Sequence, residues 1–450
     1  MLIGTSPHVK HRYKLRRMTK LARFVTILLA LVVVSCDRMK PMERDSDDQF
    51  FIAERYVKLV LEVGEHDRNF VDAYYGDPAW KPTGGKAPLK DLAAKAQELR
   101  QRLGQPGHDQ DEMRRLRHAY LDKQLAAVEA RIAMLSGEKF TFDEEARRLY
   151  DAEPPHLAET DFKPTLDELE KLLPGTGSLF DRYTAFRKAF VIPAAKVDAV
   201  FVAAIEGCRE RTAAHIALPA GETFTVEYVT GKPWSAYNWY KGKFTSVIQV
   251  NTDLPITIDR AIDLACHEGY PGHHVYNALL EQHLVRERGW VEFSIYPLFS
   301  PQSLIAEGSA NFGIDVAFPG EARTAFERDT LYPIAGLDPA TAEKYAAVQK
   351  LVGKLSYAGN EAARRYLNGE IDRAAAVEYL QRWAMSPKDR AEQRTRFFDE
   401  YRSYVINYNF GQDLVREYVE KRGGTVDRPQ DRWKVFGDLL SSPRLPSGLR

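Results

Sequence analysis

The stretch that decides the fold lies near the middle of the chain and reads His267-Glu268-Gly269-Tyr270-Pro271-Gly272-His273-His274. A helix is expected to run into it, because Thr257 is a suitable N-cap ten residues before the first histidine. Pro271 has no N–H to donate to the carbonyl of His267, and it disfavours helical geometry at Tyr270. Gly272 in turn permits unusual backbone dihedrals. We therefore predict a break in the helix at Pro271-Gly272.

The histidines on either side of this break are candidates for binding a metal ion. A catalytic zinc site takes three protein ligands, and two of them are often histidines four residues apart on one helix face. On an unbroken helix His273 would be rotated by roughly 120° from His267, and His274 would lie about 10 Å farther along the axis. If two residues loop out of the helix at the break, His273 takes the position of a histidine four residues after His267. His274 would take that position only if three residues looped out. We predict His267 and His273 as metal ligands. His274 and Tyr270 are expected to shape the pocket or contact substrate.

This motif resembles that of the bacterial family called domain of unknown function 885, whose members carry His-Glu-x-x-Pro-Gly-His and a downstream Glu-Gly. The family looks related to the gluzincin metallopeptidases. Residues 71–76 and 355–357 also resemble elements of the family, so the similarity extends along most of the mature chain. The downstream pair is Glu307-Gly308 in this sequence. The resemblance therefore implies Glu307 as the third ligand of one Zn²⁺ ion.

The resemblance also implies a reaction. It is typical of a zinc-dependent hydrolase, here a peptidase that cleaves short peptides. Glu268, next to the first ligand, is expected to act as the general base that takes a proton from metal-bound water. Tyr357 is expected to donate a hydrogen bond to the developing oxyanion, with Tyr404, Tyr408 and Arg402 as alternatives.

Two departures from the family pattern keep other functions open. Ser309 stands where the family usually has an aromatic residue, and Ile314 stands where it has a second acid, with Asp315 one residue later. One alternative is a zinc hydrolase that acts on a non-peptide amide or ester. The other is a non-catalytic lipoprotein whose pocket binds a peptide or an envelope partner.

Hydrophobic periodicity predicts a helical N-terminal region at 47–216, packed as one unit with a catalytic region at 217–440. The runs 223–229 and 244–250 are rich in β-branched and aromatic residues and predict strands. Together with the resemblance, this pattern indicates a mostly α, large helical zincin-like metallopeptidase fold with one small β-sheet beside the metal-binding helix. Helices of the N-terminal region are predicted at 50–63, 88–103, 109–136, 142–152, 164–172, 179–190 and 194–216.

The N-terminus has the pattern of an export signal. Basic residues precede an apolar run at 24–34, which is shorter than the ~20 residues that a membrane-spanning helix needs. The run closes on Val33-Val34-Ser35-Cys36, which resembles a bacterial lipobox and predicts lipidation of Cys36. Residues 1–36 are thus interpreted as a signal peptide and 37–46 as a tether. The protein is expected to face the periplasm, attached to the membrane through its lipid anchor alone.

Composition limits the remaining classes of function. Lys plus Arg and Asp plus Glu both number 63, so no net positive charge is available to attract nucleic acid, and no nucleic-acid partner is expected. A peptide substrate is the expected partner, and the sequence does not indicate whether the protein is a monomer or an oligomer. Cys208 and Cys266 are too few for a disulfide framework, and Cys266 is expected to be a small packed hydrophobe.

Overall fold

The structure is a computed structural model that describes residues 47–105 and 111–450. The predicted signal peptide with Cys36 and the tether at 37–46 lie outside the described residues. Within the described ranges, no helix has both the length and the apolar character needed to cross a membrane.

The N-terminal region is helical, as the sequence predicts. Most predicted helices agree with the structure to within a few residues, but the fifth begins at Glu159 instead of residue 164. The reason is a cap: the Asp161 carboxylate accepts a hydrogen bond from the Ala158 N–H at 2.7 Å, so the first turn forms before Pro164. The helices are α1 (Asp47–Gly64), α2 (Leu89–Leu103), α3 (Glu112–Leu135), α4 (Phe142–Tyr150), α5 (Glu159–Leu172), α6 (Leu179–Lys188) and α7 (Val197–Ala213).

The C-terminal region is helical again, so the prediction of a mostly α fold is confirmed. Two π-helical segments, Ala265–Gly269 and Glu281–Arg286, flank the helix His273–Leu280, and a third spans Glu327–Leu331. The helices are α8 (Ile258–Leu264), α9 (His273–Leu280), α10 (Pro301–Ala317), α11 (Glu321–Phe326), α12 (Tyr332–Ala335), α13 (Ala342–Lys354), α14 (Tyr357–Leu367), α15 (Arg373–Trp383), α16 (Lys388–Tyr401), α17 (Ile406–Lys421) and α18 (Pro429–Leu440).

The described residues form two small β-sheets, whereas the sequence predicts one. The strands are β1 (Val71–Tyr74), β2 (Thr223–Val229), β3 (Ala236–Gly242), β4 (Thr245–Asn251) and β5 (Ile295–Pro297). In the larger sheet β2 and β4 run parallel, and β3 pairs antiparallel with the other edge of β4. In the smaller sheet β1 pairs antiparallel with β5. These two strands are too short to show a period-2 pattern and lie far apart in sequence, which is why the second sheet was not predicted.

Long-range contacts join the N-terminal helices to the rest of the chain. One hydrophobic core includes residues from Ile52 to Leu449. Arg117 on α3 forms a fully buried two-point ion pair with Glu292, at 2.5 and 3.0 Å. Breaking one partner of such a pair is strongly destabilising, because it leaves an uncompensated buried charge.

A disulfide joins Cys208 on α7 to Cys266, directly before His267. Cys266 is fully buried in the core, as expected, but it is disulfide-bonded, which the sequence did not predict. Helix α7 lies against the π-helical segment that carries Cys266 and brings the two Cα atoms to 5.6 Å, a spacing that a disulfide can bridge. Two cysteines are too few to show a spacing pattern, so the pairing depends on tertiary packing.

Candidate metal centre

The helix that enters the motif breaks where the sequence predicts. α8 continues into the π-helical segment Ala265–Gly269, Tyr270 takes extended geometry, and α9 begins at His273. The Gly272 N–H donates to the Cys266 carbonyl at 2.9 Å. A Cβ at Gly272 would lie 1.8 Å from the carbonyl oxygen of His267, so this close approach admits only glycine.

The break brings the side chains of His267 and His273 together, with their rings nearly perpendicular, and Glu307 from α10 is a third neighbour. The two Nε2 atoms are 3.1 Å apart. The Oε2 atom of Glu307 lies 3.0 Å from His267 Nε2 and 3.6 Å from His273 Nε2. All three side chains are largely buried, and their possible ligand atoms lie within 4.8 Å of one another. We call these three residues the triad.

Glycines on α10 hold Glu307 in position. A Cβ at Gly308 would lie 2.4 Å from the backbone of Gly411, so α10 and α17 can cross this closely because neither has a side chain there. At Gly313 a Cβ would lie 2.9 Å from the Pro271 ring, so the break in the motif packs directly on α10. The Glu-Gly pair thus combines a candidate ligand with the contact that places it.

Two further side chains orient the triad. Asn311, one turn after Glu307 on α10, accepts a hydrogen bond from His267 Nδ1 at 2.9 Å. Its Nδ2 donates to the Tyr408 carbonyl at 2.9 Å, which fixes the amide so that Oδ1 faces the ring. Neutral His267 therefore carries its proton on Nδ1 and leaves an Nε2 lone pair towards the triad. On the other side, the Tyr404 hydroxyl donates to Glu307 Oε1 at 2.7 Å.

The triad fits a bound cation. Glu307 Oε2 is buried and accepts no well-formed hydrogen bond, although two imidazole nitrogens lie close to it. Three electron pairs that converge out of contact with bulk water repel one another unless a proton or a cation lies between them. Two imidazole nitrogens and one carboxylate oxygen are a ligand set typical of a catalytic Zn²⁺ site. The outer bonds from Asn311 and Tyr404 are of the kind that orient such ligands.

Glu268 lies beside the triad and faces the same cavity. Asn238 on β3 donates to the backbone carbonyl of Glu268 at 2.7 Å, which attaches the larger sheet to the motif. Burial raises the pKa of the Glu268 carboxyl above its ordinary value, although the neighbouring His267 and His273 partly oppose the shift. Burial also raises the pKa of Asp72 on β1 to about 6, and Asp72 accepts a hydrogen bond from the Tyr237 hydroxyl.

His274 and Tyr270 do not line the cavity, in contrast to the expectation that they shape the pocket. His274 is 1% exposed and contacts Ser246 Oγ at 2.9 Å and Glu222 at 3.1 Å. The Tyr270 hydroxyl donates to the same Glu222 carboxylate at 2.5 Å. The helix after the break begins at His273, so the next residue points away from the triad into the protein interior, where Glu222 binds it.

The candidate oxyanion donors lie at different places. Tyr357 lines the cavity, but its hydroxyl donates to Asp413 at 2.7 Å. Tyr404 contacts Glu307 as described, and the ring of Tyr408 stacks against His267 with centroids 6.3 Å apart. Arg402 forms an ion pair with Glu145 at 2.6 Å and does not line the cavity. Tyr404 and Tyr408 therefore contact triad residues directly, and the other two candidates have different partners.

The triad opens into a large cavity with a volume of about 1520 Å³. This exceeds the roughly 300–1,000 Å³ of ordinary small-molecule sites and leaves room for a peptide. Aromatic side chains and several arginines line its wall. Sequence reasoning missed Asn311 and these arginines. The four-residue spacing from Glu307 was a signal that could have identified Asn311, because it predicts a neighbour on the same helix face.

No protein-family model and no curated protein matches the chain. Two solved structures are similar to it at low identity. One is described as a "putative lipoprotein" from Colwellia psychrerythraea, with 14% identity, a TM-score of 0.47, and coverage of 82% of this chain and 69% of that chain. The other is named BsuCP, with 9% identity, a TM-score of 0.46, and coverage of 88% and 89%. Likenesses this distant do not assign a function, which therefore has to be inferred from the site.

Proposed function

We propose that the protein is a zinc-dependent hydrolase that cleaves short peptides. The observation that carries this proposal is the convergence of His267, His273 and Glu307 at the wall of a large cavity, with Glu268 beside them. Zinc held by such ligands polarises a carbonyl group and makes water a better nucleophile near neutral pH. The gluzincin-like fold and the peptidase activity that the motif resemblance implies belong to the same proposal.

The residues of the chain have separate parts in this mechanism. The Glu268 carboxylate takes a proton from the attacking water and delivers it to the leaving nitrogen. Asn311 keeps His267 in the tautomer that a metal ligand requires, and Tyr404 holds the Glu307 carboxylate in orientation. A cavity tyrosine stabilises the oxyanion. We place Tyr408 first for this part because its ring contacts His267, and Tyr357 second because Asp413 already binds its hydroxyl.

The proposal includes the location of the enzyme. The lipobox-like sequence at Cys36 supports export and attachment to the membrane by a lipid. The Cys208–Cys266 disulfide is independent support, because disulfides persist in oxidising compartments outside the cytosol. Metabolic labelling with a radioactive fatty acid tests the anchor. The chain should be labelled, and a Cys36→Ala variant should not.

The metal is tested on the purified protein without its N-terminal segment. We expect about one zinc per chain by elemental analysis, and loss of most of it in the double variant His267→Ala, His273→Ala. A His283→Ala variant is the matched control, because His283 pairs with Glu287 and lies outside the cavity. Equal zinc content in the double variant and the parent would reject the triad as the metal site.

The reaction is tested by digestion of a defined peptide pool with mass-spectrometric readout. Glu268→Gln should retain zinc and lose at least about 100-fold in hydrolysis, the usual contribution of a general base. Glu343→Gln is the control, because Glu343 lines the same cavity but pairs with Arg328 at 2.8 Å. Full activity in Glu268→Gln would reject its role as the base.

The non-catalytic alternative has one observation in its favour. Asp315, the acid nearest to the position of Ile314, pairs with Arg416 at 3.0 Å and does not complete the triad. Bound zinc without turnover of any peptide, together with saturable binding of one, would support that alternative. Turnover of amide or ester compounds alone would instead support the non-peptide hydrolase.

A further inference from the structure

We propose that the cavity contains a carboxylate-binding subsite, formed by Arg187, Arg260, Arg390 and Arg394, that binds a carboxylate of the substrate close to the triad. We call these four residues the arginine wall. The inference deepens the proposed function and rests on it, because it specifies which peptides the site accepts and how they are oriented.

The arginine wall is assembled from three separate helices. Arg187 lies on α6, Arg260 on the first turn of α8, and Arg390 and Arg394 on α16, and all four line the same cavity as the triad. Arg187 donates to the Thr257 hydroxyl at 3.2 Å, and Arg390 donates to the Pro255 carbonyl at 3.0 Å. Both guanidinium groups thus reach the segment directly before α8, the helix that carries Arg260.

The positive charge of this wall is incompletely neutralised. Arg260 pairs with Asp263 at 3.0 Å, but Arg187, Arg390 and Arg394 have no carboxylate within ion-pair distance in the described part of the chain. Burial, together with repulsion from Arg260 and Arg187, lowers the pKa of Arg390 to about 10, although Asp389 and Asp259 offset part of the shift. A half-buried group of like charges is costly unless an anion binds to it.

Arg394 is the member with the fewest polar partners. Its guanidinium packs over aromatic rings, with its Cζ 5.8 Å from the centre of Phe397 and 5.9 Å from that of Tyr408. Stacking of this kind holds the side chain in place but leaves the edges of the guanidinium able to donate hydrogen bonds. Such a planar fork matches a carboxylate at two points.

The distance from the wall to the triad suits a peptide. Arg260 precedes His267 by seven residues, so the two lie about 10 Å apart along the axis of α8 and the π-helical segment that follows it. Arg394 lies on Tyr408, whose ring in turn stacks on His267, so one aromatic ring separates this guanidinium from the first ligand. A peptide advances about 3.5 Å per residue. A carboxylate bound at the wall would therefore place a bond about three residues away at the triad.

The net charge of the wall also favours an anion. Asp259 and Asp263 line the cavity near the arginines and offset only part of their charge. A substrate carboxylate is thus attracted to the positive charge that remains. The carboxylate can come from the C-terminus of a peptide, which makes the enzyme remove C-terminal residues, or from an acidic side chain near the scissile bond.

The test uses one neutral peptide sequence in three forms: a free C-terminal acid, a C-terminal amide, and an amide with glutamate as its last residue. We expect kcat/KM for a carboxylate-bearing form to exceed that of the neutral amide by about 100-fold, the scale of a partly buried charge pair. Preference for the free acid identifies the C-terminal carboxylate, and preference for the glutamate amide identifies the side chain. Equal cleavage of all three forms overturns the subsite while leaving the peptidase function intact.

Variants assign the preference to the wall. In Arg394→Ala and in Arg390→Ala the ratio of kcat/KM between the preferred carboxylate form and the neutral amide should fall at least about tenfold, and Arg394→Lys should restore part of it. Arg396→Ala is the matched control, because Arg396 is an exposed residue of the same helix that does not line the cavity. A ratio that is unchanged in both alanine variants would overturn the assignment.

A binding measurement separates this inference from the peptidase proposal. Calorimetry with zinc-loaded Glu268→Gln should show tighter binding of the preferred carboxylate form than of the neutral amide. The additional change Arg394→Ala should remove most of that difference. If the parent hydrolyses no peptide but this difference is present, the subsite stands and the hydrolase proposal fails. If the difference is absent, the subsite fails whatever the activity.

Discussion

Replacing Asn311 by alanine should weaken zinc binding while the fold is kept. The change removes the acceptor that lies 2.9 Å from His267 Nδ1, and it removes the bond to the Tyr408 carbonyl that fixes the amide. The imidazole can then rotate and exchange its proton between the two nitrogens. Loss of one such outer partner typically costs about 10- to 100-fold in metal affinity, which corresponds to about 1.4–2.7 kcal/mol.

The assay is competition for zinc with a chromogenic chelator of known affinity, and thermal unfolding of the metal-free proteins serves as the check on folding. Gln412→Ala is the matched control, because Gln412 is a half-buried amide in the same cavity that donates to Asp315 at 3.2 Å and not to the triad. Asn311→Asp keeps an acceptor towards His267 and should retain most of the affinity. The reasoning is refuted if Asn311→Ala binds zinc as tightly as the parent, or if Gln412→Ala weakens binding equally.

Three further predictions test the surroundings of the site. Gly308→Ala should lower the free energy of unfolding by about 1–3 kcal/mol in denaturant titrations, because its Cβ would meet Gly411 at 2.4 Å; Gly353→Ala, with open space around its Cβ, should not. If Tyr408 is the oxyanion donor, Tyr408→Phe should lower kcat by about 100-fold or more, and Tyr357→Phe should lower it much less. The reverse order would assign that role to Tyr357. The double variant Cys208→Ala, Cys266→Ala should lose about 4 kcal/mol of unfolding free energy, because the disulfide closes a loop between residues 58 positions apart. An unchanged midpoint of unfolding in guanidinium chloride would contradict this.

Local sequence rules predicted the elements whose signals are local. Helices α2 to α4, α6 and α7 begin and end near Pro, Gly or capping residues, and β2 and β4 are runs of β-branched residues, so each could be identified alone. The strand β3 was not predicted from the sequence. Its role depends on β4, against which it pairs, and on Asn238, which reaches the motif. The pairing of Cys208 with Cys266 depends likewise on the position of α7.

In the site as well, local sequence rules predict only the contacts made within one short segment. The arithmetic of an interrupted helix was enough to predict that His273 faces His267, because both belong to one short segment. It could not show what binds His274, since its partners Glu222 and Ser246 come from distant parts of the chain. For the same reason the arginine wall, drawn from α6, α8 and α16, has no signature in any single stretch.

Pro271 connects the local and the long-range parts of this site. Its missing N–H ends the π-helical segment and turns the chain towards His273, which is a local effect of the residue type. Its ring also packs on α10 at Gly313, where even a Cβ would approach to 2.9 Å. Glu307 and Asn311 lie on that same helix. Pro271 therefore both redirects the chain towards His273 and sets the position of α10, which carries Glu307 and the hydrogen-bond partner of His267. A substitution at Pro271 should therefore disturb all three members of the triad together, even though it touches neither imidazole chemistry nor the carboxylate.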